Sequence, residues 1–213
     1  LLARRGFTGP PHILDGKEGL VHTMSAVLSG EQTRAFELGA LVDDLPVDPG
    51  ARFRISDCSM KSFPVEALMH APLSALIDLL AASQGSPVRP DEVVDIEIAV
   101  IARAADILGD PAKYSPSTRE TADHSLPYAA AVAVMDGAVT LDHFERLRTE
   151  EPRTRRLMGA VRVVPDESFE ERFPAEQPSR VTIRLRDGTT LVREVSAPKG
   201  DPGNPMTPAE VEA

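Results

Sequence analysis

Apolar residues recur along this chain in two rhythms, and the change of rhythm divides it. From Lys17 to Leu28 and from Glu31 to Val42 they return at mixed three- and four-residue intervals, as on the buried stripe of packed helices. The Gly6 to Pro11 run (Gly-Phe-Thr-Gly-Pro-Pro) must break any helix before them. Asp43 to Gly50 is a turn-rich connector and marks a domain boundary. Beyond it, Phe53 to Phe63 reads as extended, closed by Pro64, with Cys58 inside it as a small buried hydrophobe. Pro72 to Ala82 returns to the helical period, with Leu73, Leu76, Ile77 and Leu80 on one face. Val94, Ile96, Ile98 and Val100 alternate with other residues, the signature of a half-buried strand over 93–101.

The second half is punctuated more sharply. Residues 109–122 are polar and turn-rich, a surface or active-site loop. Ser125 to Met135 is the best-marked helix: Ser125 stands at the N-cap, Pro127 in the first turn and Gly137 just past the last apolar turn. Short helices follow over 141–149 and 152–159. Strands are expected at 161–164, 180–186 and 190–195, the last two joined across Asp187-Gly188 as a hairpin. From Pro198 the chain reads as a Pro/Gly linker, ending in the start of a helix with capping-box spacing from Thr207 to Glu210. The expected fold class is therefore α+β. Residues 1–50 form a helical segment, 51–197 a mixed helix and strand domain, and 198–213 a linker with a severed helix.

Composition narrows the function classes. With 42% apolar and 26% charged residues, the 213-residue chain is ordinary for a globular protein. A formal net charge of −10 argues against nucleic acid, which needs basic surface to neutralise phosphates. An anionic small substrate stays open, because a few local cations can dominate a cleft. The single cysteine, Cys58, leaves no internal disulfide framework and no all-cysteine metal or cluster site. No apolar run approaches membrane-spanning length, so a cytoplasmic location is the default.

Chemistry concentrates in two segments of similar layout. Lys61-Ser62-Phe63-Pro64-Val65-Glu66 leads to His70, Pro72 and an apolar helix. Asp123-His124-Ser125 leads to Pro127-Tyr128 and another. Each places an imidazole beside a helix start, where free N–H groups and the helix dipole favour anions. If the segments meet in space, Lys61, His70, His124, Ser125 and Tyr128, with Glu66 alongside, form a receptor for a di- or tricarboxylate. His12, His22 and His143 lie in turn-like or amphipathic contexts and read as structural. No spacing of His, Cys and carboxylates matches a metal site.

These segments resemble the MmgE/PrpD family, which contains 2-methylcitrate dehydratase and cis-aconitate decarboxylase. Lys61-Ser62-Phe63-Pro64 with His70 looks like the family's lysine–aromatic–proline…histidine motif. Glu120 to Tyr128, with Asp136-Gly137-Ala138-Val139-Thr140, looks like its second signature, and Arg5 to Pro10 with Ile13 to Gly16 resembles the end of its helical domain's first pass. The resemblance implies a small α+β lid joined to a large all-helical domain, an active site between them, no metal or other cofactor, and a homodimer. It implies that Lys61 binds a substrate carboxylate and that Tyr128 donates a proton or binds a carboxylate, with His70 and His124 as neighbours. Glu66 stands where the dehydratase branch looks to carry glutamate and the decarboxylase branch histidine.

The family's first large stretch, and the helices that close it, have no counterpart here. The chain is thus expected to supply the lid half of a site for dehydration of 2-methylcitrate or a related tricarboxylate. A helical domain, in cis or as a separate chain, would complete it. Decarboxylation of cis-aconitate, epimerisation of an amino-dicarboxylate and a non-catalytic binding or assembly module are the alternatives.

Overall fold

The computed structural model describes residues 3–6, 54–83, 85 and 87–212. The helices expected over 17–28 and 31–42, with His12 and His22, lie outside the described residues. The chain divides into two units, Leu1–Arg54 and Ile55–Ala213. In the first, Ala3–Arg5 forms one 3-10 turn. The α+β architecture belongs to the second.

Its sheet has four strands in the order β2-β1-β3-β4, where β1 is Val93–Val100, β2 Val161–Pro165, β3 Ser179–Leu185 and β4 Thr190–Val195. Strand β2 runs parallel to β1, whereas β3 pairs antiparallel with both β1 and β4. A parallel neighbour cannot follow by a tight turn. The 60 residues between β1 and β2 accordingly hold helices: α2 (Ala102–Leu108), α3 (Arg119–Ala122), α4 (Leu126–Asp136), α5 (Asp142–Glu145) and α6 (Pro152–Ala160). Helix α1 (His70–Ala82) precedes the sheet, α7 (Glu167–Glu170) joins β2 to β3, and α8 (Pro208–Glu212) ends the described chain.

One sheet face is apolar. Ile96, Ile98, Val181 and Ile183 are wholly buried there, in one core with Leu73, Leu76 and Leu157. The other face carries a charge ladder: Arg162 bonds Asp95 and Glu97, Arg184 bonds Asp95, and Arg180 bonds Glu194. At the centre α4 is built almost entirely of small apolar residues, with everything from Leu126 to Val134 buried. Alanine there lets neighbouring backbones approach closely without loss of helix propensity.

The structure departs from the sequence reading in several places. The stretch 109–122, read as a loop, holds a 3-10 turn, Pro111–Tyr114, and the short helix α3. Strand β1 exists, but its register shifts between Val93 and Asp95, so Val93 points inward and Val94 stands 56% exposed. The stretch read as extended over 53–63 holds instead a 3-10 turn, Arg54–Asp57, and then an irregular loop with no sheet partner. Cys58 is accordingly exposed, not buried. A further departure is the Pro/Gly stretch after residue 198, which is tied into the domain as described below. No helix among the described residues is long and apolar enough to cross a membrane.

Candidate functional site

The Lys61 segment is a tight loop closed by two hydrogen bonds. Val65 N–H donates to Phe63 O at 2.9 Å, and the Lys61 ammonium reaches the Val65 carbonyl at 2.7 Å. Glu66 follows in extended geometry, and its carboxylate accepts from Leu68 N–H at 2.9 Å, capping the 3-10 turn Ala67–Met69. That turn feeds directly into α1, so His70 enters as the first residue of the helix with its own N–H bonded to Ala67 O. The His70 ring is 5% exposed and lies 5.7 Å from the Phe63 ring. Its Nε2 is buried with no hydrogen-bond partner. Burial, then the Lys61 charge, pull its pKa below the usual histidine value, against a weaker opposing effect of the Val65 carbonyl. The ring is therefore neutral at neutral pH, with one nitrogen unsatisfied.

The chain returns to this loop more than a hundred residues later. Met60 N–H donates to Gly200 O at 2.8 Å, and Gly200 N–H to Asn204 O at 2.9 Å. Only glycine fits there: φ is +91°, and a Cβ would stand 2.0 Å from Met60 O. Lys199 N–H bonds Ser74 Oγ at 3.1 Å, one helical turn beyond His70 on α1. Lys61, His70, Lys199 and Asp201 line a cleft of about 180 Å³ with Ser59 and Gln177. Inside it the Asp201 carboxylate accepts from Ser59 Oγ at 3.2 Å and from Gly203 N–H at 2.8 Å. At its rim the Lys199 ammonium pairs with Glu210 at 3.0 Å. Glu210 is held down to about 2 by Thr207 N–H and then by Lys199.

The second segment meets the first: Glu66 N–H donates to Asp123 O at 3.0 Å. The two motifs are thus neighbours, but their polar groups face different tasks. Ser125 is fully buried, gives its proton to the Lys113 carbonyl and accepts from Tyr128 N–H at 3.1 Å, the N-cap of α4. Tyr128 is fully buried too, packed edge-on to Phe144 with ring centres 6.0 Å apart. Its hydroxyl donates to His143 O at 2.6 Å and accepts from Arg148 N–H at 3.2 Å. His124 is exposed, with Nδ1 bonded to the Asp123 carboxylate and to Glu120 O. Neither Tyr128 nor His124 lines the Lys61–His70 cleft.

Of the six residues singled out from sequence, the structure brings Lys61 and His70 to one cleft. It gives the polar groups of Glu66, Ser125 and Tyr128 backbone partners and leaves His124 on the surface. For Glu66 and Ser125 the physical reason is the same: helix starts and tight turns carry orphan N–H groups, and nearby short polar side chains satisfy them first. The buried Tyr128 hydroxyl instead ties a carbonyl and an N–H of the 143–148 turn. Reading the two segments as a bare anion receptor is corrected in part: Ser125 already occupies the Tyr128 N–H at the start of α4 and Glu66 the Leu68 N–H of the turn that leads into α1, whereas α1 itself carries no side-chain cap. His143 is structural as read, its Nε2 on Asp136 at 3.0 Å and its Nδ1 accepting from Thr140 N–H at 2.9 Å. Sequence reasoning missed Lys199, Gly200 and Ser74. The available signal was Gly200 to Pro205, too dense in turn residues flanking a charge to be a plain linker. Among the described residues, no group of three or more His, Cys, Asp or Glu side chains is placed to hold a metal ion.

Comparison with known proteins adds an independent line. Residues 63–213 match the family described as the MmgE/PrpD C-terminal domain. Cis-aconitate decarboxylase from Mus musculus is similar, with 26% identity over 144 residues covering 63% of this chain and 27% of the mouse enzyme. The chain thus spans about a quarter of that relative's length.

Proposed function

Because the chain belongs to the MmgE/PrpD family, we propose that it supplies the lid half of a lyase site that dehydrates 2-methylcitrate or a related tricarboxylate. A helical domain, in cis or as a separate chain, completes the site, and the assembly works as a homodimer. One observation carries this reading: a neutral, buried imidazole with an unsatisfied nitrogen shares a cleft with the Lys61 ammonium. Dehydration breaks a C–H bond next to a carboxylate and a C–O bond on the adjoining carbon, forms the double bond between them, and releases water. It needs a group that exchanges a proton near neutral pH, and a cation for charge that builds on the carboxylate. His70 fits the first role and Lys61 the second. Tyr128 and Ser125 serve by fixing α4, and His124 stands at the margin with its ring on Asp123.

Decarboxylation of cis-aconitate is the second reading, favoured by the mouse relative. Both reactions pass through carbanion-like charge beside a carboxylate, so the same two residues serve either. The Glu66 carboxylate, on which the dehydratase expectation leans, is committed to Leu68 N–H. An assay must therefore choose between the two. With the complete enzyme, 2-methylcitrate, citrate and cis-aconitate are offered in parallel, following ultraviolet absorbance of the double bond and release of carbon dioxide. His70→Gln and Lys61→Ala should each lower kcat/KM by about a hundredfold or more on the accepted substrate. If both variants keep wild-type turnover, or no tricarboxylate is consumed, the reading fails.

A further inference from the structure

The Lys61–His70 cleft has a second cation. We propose that Lys199 binds a substrate carboxylate opposite Lys61 and rests on Glu210 while the cleft is empty. This inference rests on the carboxylate-substrate reading above and adds to it a specificity-determining residue.

Two ties hold residue 199 at the site, and a glycine makes the first possible. The Met60–Gly200 hydrogen bond joins the immediate chain neighbours of Lys61 and Lys199. Lys199 N–H is pinned to Ser74, which lies at i+4 from His70 and so on the same face of α1. Gly200 allows the two backbones to approach as no other residue could. A tether this specific, in a segment rich in Pro and Gly, positions something; the side chains it delivers to the cleft are Lys199 and Asp201.

The electrostatics point to an anion as the occupant. Lys61 donates to a neutral carbonyl, and among the described residues no carboxylate pairs with it. Asp201 is already bonded by Ser59 and Gly203. His70, whose buried Nε2 has no partner, lines the same cleft. Lys61 and a neutral imidazole therefore line about 180 Å³, into which Lys199 would bring a second ammonium; this is room for a small polyanion and below the roughly 300–1,000 Å³ of drug-sized sites.

Glu210 is built to let go. Its carboxylate also accepts from Thr207 N–H and Thr207 Oγ, each at 2.8 Å, as the far half of the α8 capping box. If Lys199 swings into the cleft, Glu210 keeps both of these bonds. What is lost is one ion pair whose side chains are 31% and 47% exposed, the kind that contributes little to stability. A substrate carboxylate that also meets Lys61 and His70 competes well against that.

The test uses citrate as the probe, titrated calorimetrically into the intact protein at low salt, beside turnover of the accepted tricarboxylate. Lys199→Met should weaken citrate binding by about tenfold or more and raise KM with kcat largely kept, the mark of a binding contact. Glu210→Gln keeps the capping box, since glutamine serves there as well, but removes the competing charge. It should tighten citrate binding severalfold. Opposite signs from the two halves of one ion pair, with unchanged melting midpoints, are what a merely structural pair would not give. Citrate affinity that both variants lower, or that Lys199→Met leaves unchanged while Lys61→Met abolishes it, overturns the role of Lys199 and spares the lyase reading. Citrate binding that depends on both lysines in a protein that turns over no tricarboxylate supports the Lys199 site and sinks the lyase reading. No citrate binding at all overturns the Lys199 site, and turnover then decides the lyase reading separately.

Discussion

Replacing Tyr128 by phenylalanine removes one oxygen from the fully buried interior of α4, and the structure fixes what that oxygen does. It holds the His143 carbonyl at 2.6 Å and the Arg148 N–H at 3.2 Å, tying the 143–148 turn to the helix. The ring and its edge-on contact with Phe144 survive the change, so packing is conserved and no cavity larger than the oxygen is left. The loss is two backbone groups stranded beside a residue that water does not reach. A buried orphan of this kind costs on the order of 1–3 kcal/mol, so about 2–4 kcal/mol is expected for the pair after partial relaxation. With a urea slope of roughly 2 kcal/mol/M, the unfolding midpoint should fall by about 1–2 M. Activity measured well below the new midpoint should drop less than about tenfold, because the hydroxyl does not face the cleft. The converse result would refute this reasoning: an unchanged midpoint with activity abolished would mean that the hydroxyl belongs to the substrate and not to the turn.

Two further outcomes are expected. His70 has its pKa lowered by burial, so the unfolded chain binds a proton before the folded one does. Its contribution is complete above the unfolded value near 6.5 and is lost as pH falls below it; wild type should lose stability from pH 7.5 to 5.5, and urea midpoints for His70→Gln should lose less. Gly200→Ala combines a positive φ with a Cβ 2.0 Å from a carbonyl that would need about 3.4 Å, whereas Gly188→Ala has φ +88° but open space around it. The first should cost about 2–4 kcal/mol and the second about 1 kcal/mol, and equal midpoints for the two would refute the close approach at Met60.

What sequence made legible here was whatever is decided locally. Ser125, Pro127 and Gly137 bracket α4 because a cap oxygen, a missing N–H and a left-handed glycine act within one turn of themselves. Asp187-Gly188 marks the β3–β4 hairpin for the same reason. Alternation found β1 but not its shift at Val93, since a bulge is set by the partner strand. Over the described part of the segment between Phe53 and Phe63 the extended reading failed: Arg54–Asp57 turns as a 3-10 helix, and Met60 N–H bonds the Gly200 carbonyl rather than a strand edge. The candidate site divides in the same way. Lys61 and His70 are readable from one short motif. Lys199 reaches them only through the tertiary fold, from 138 positions further along the chain. Polar residues crowded at a helix mouth look alike whether they bind a ligand or cap a turn. Only the partners of Ser125 and Tyr128, at Lys113, His143 and Arg148, tell the two apart.

The bond from Met60 to Gly200 is, in polymer terms, a clasp on a loop of 140 residues that contains the whole sheet. Closing a flexible loop of that length costs roughly 4 kcal/mol of chain entropy, far more than one hydrogen bond returns. The clasp can therefore shut only after the strands and α1 have already brought its ends together. The cleft it frames is then among the last features of the domain to form and among the first to open. A molecule lodged between Lys61 and Lys199 holds that loop closed, so its binding would be felt by the entire domain as resistance to unfolding rather than by the cleft alone.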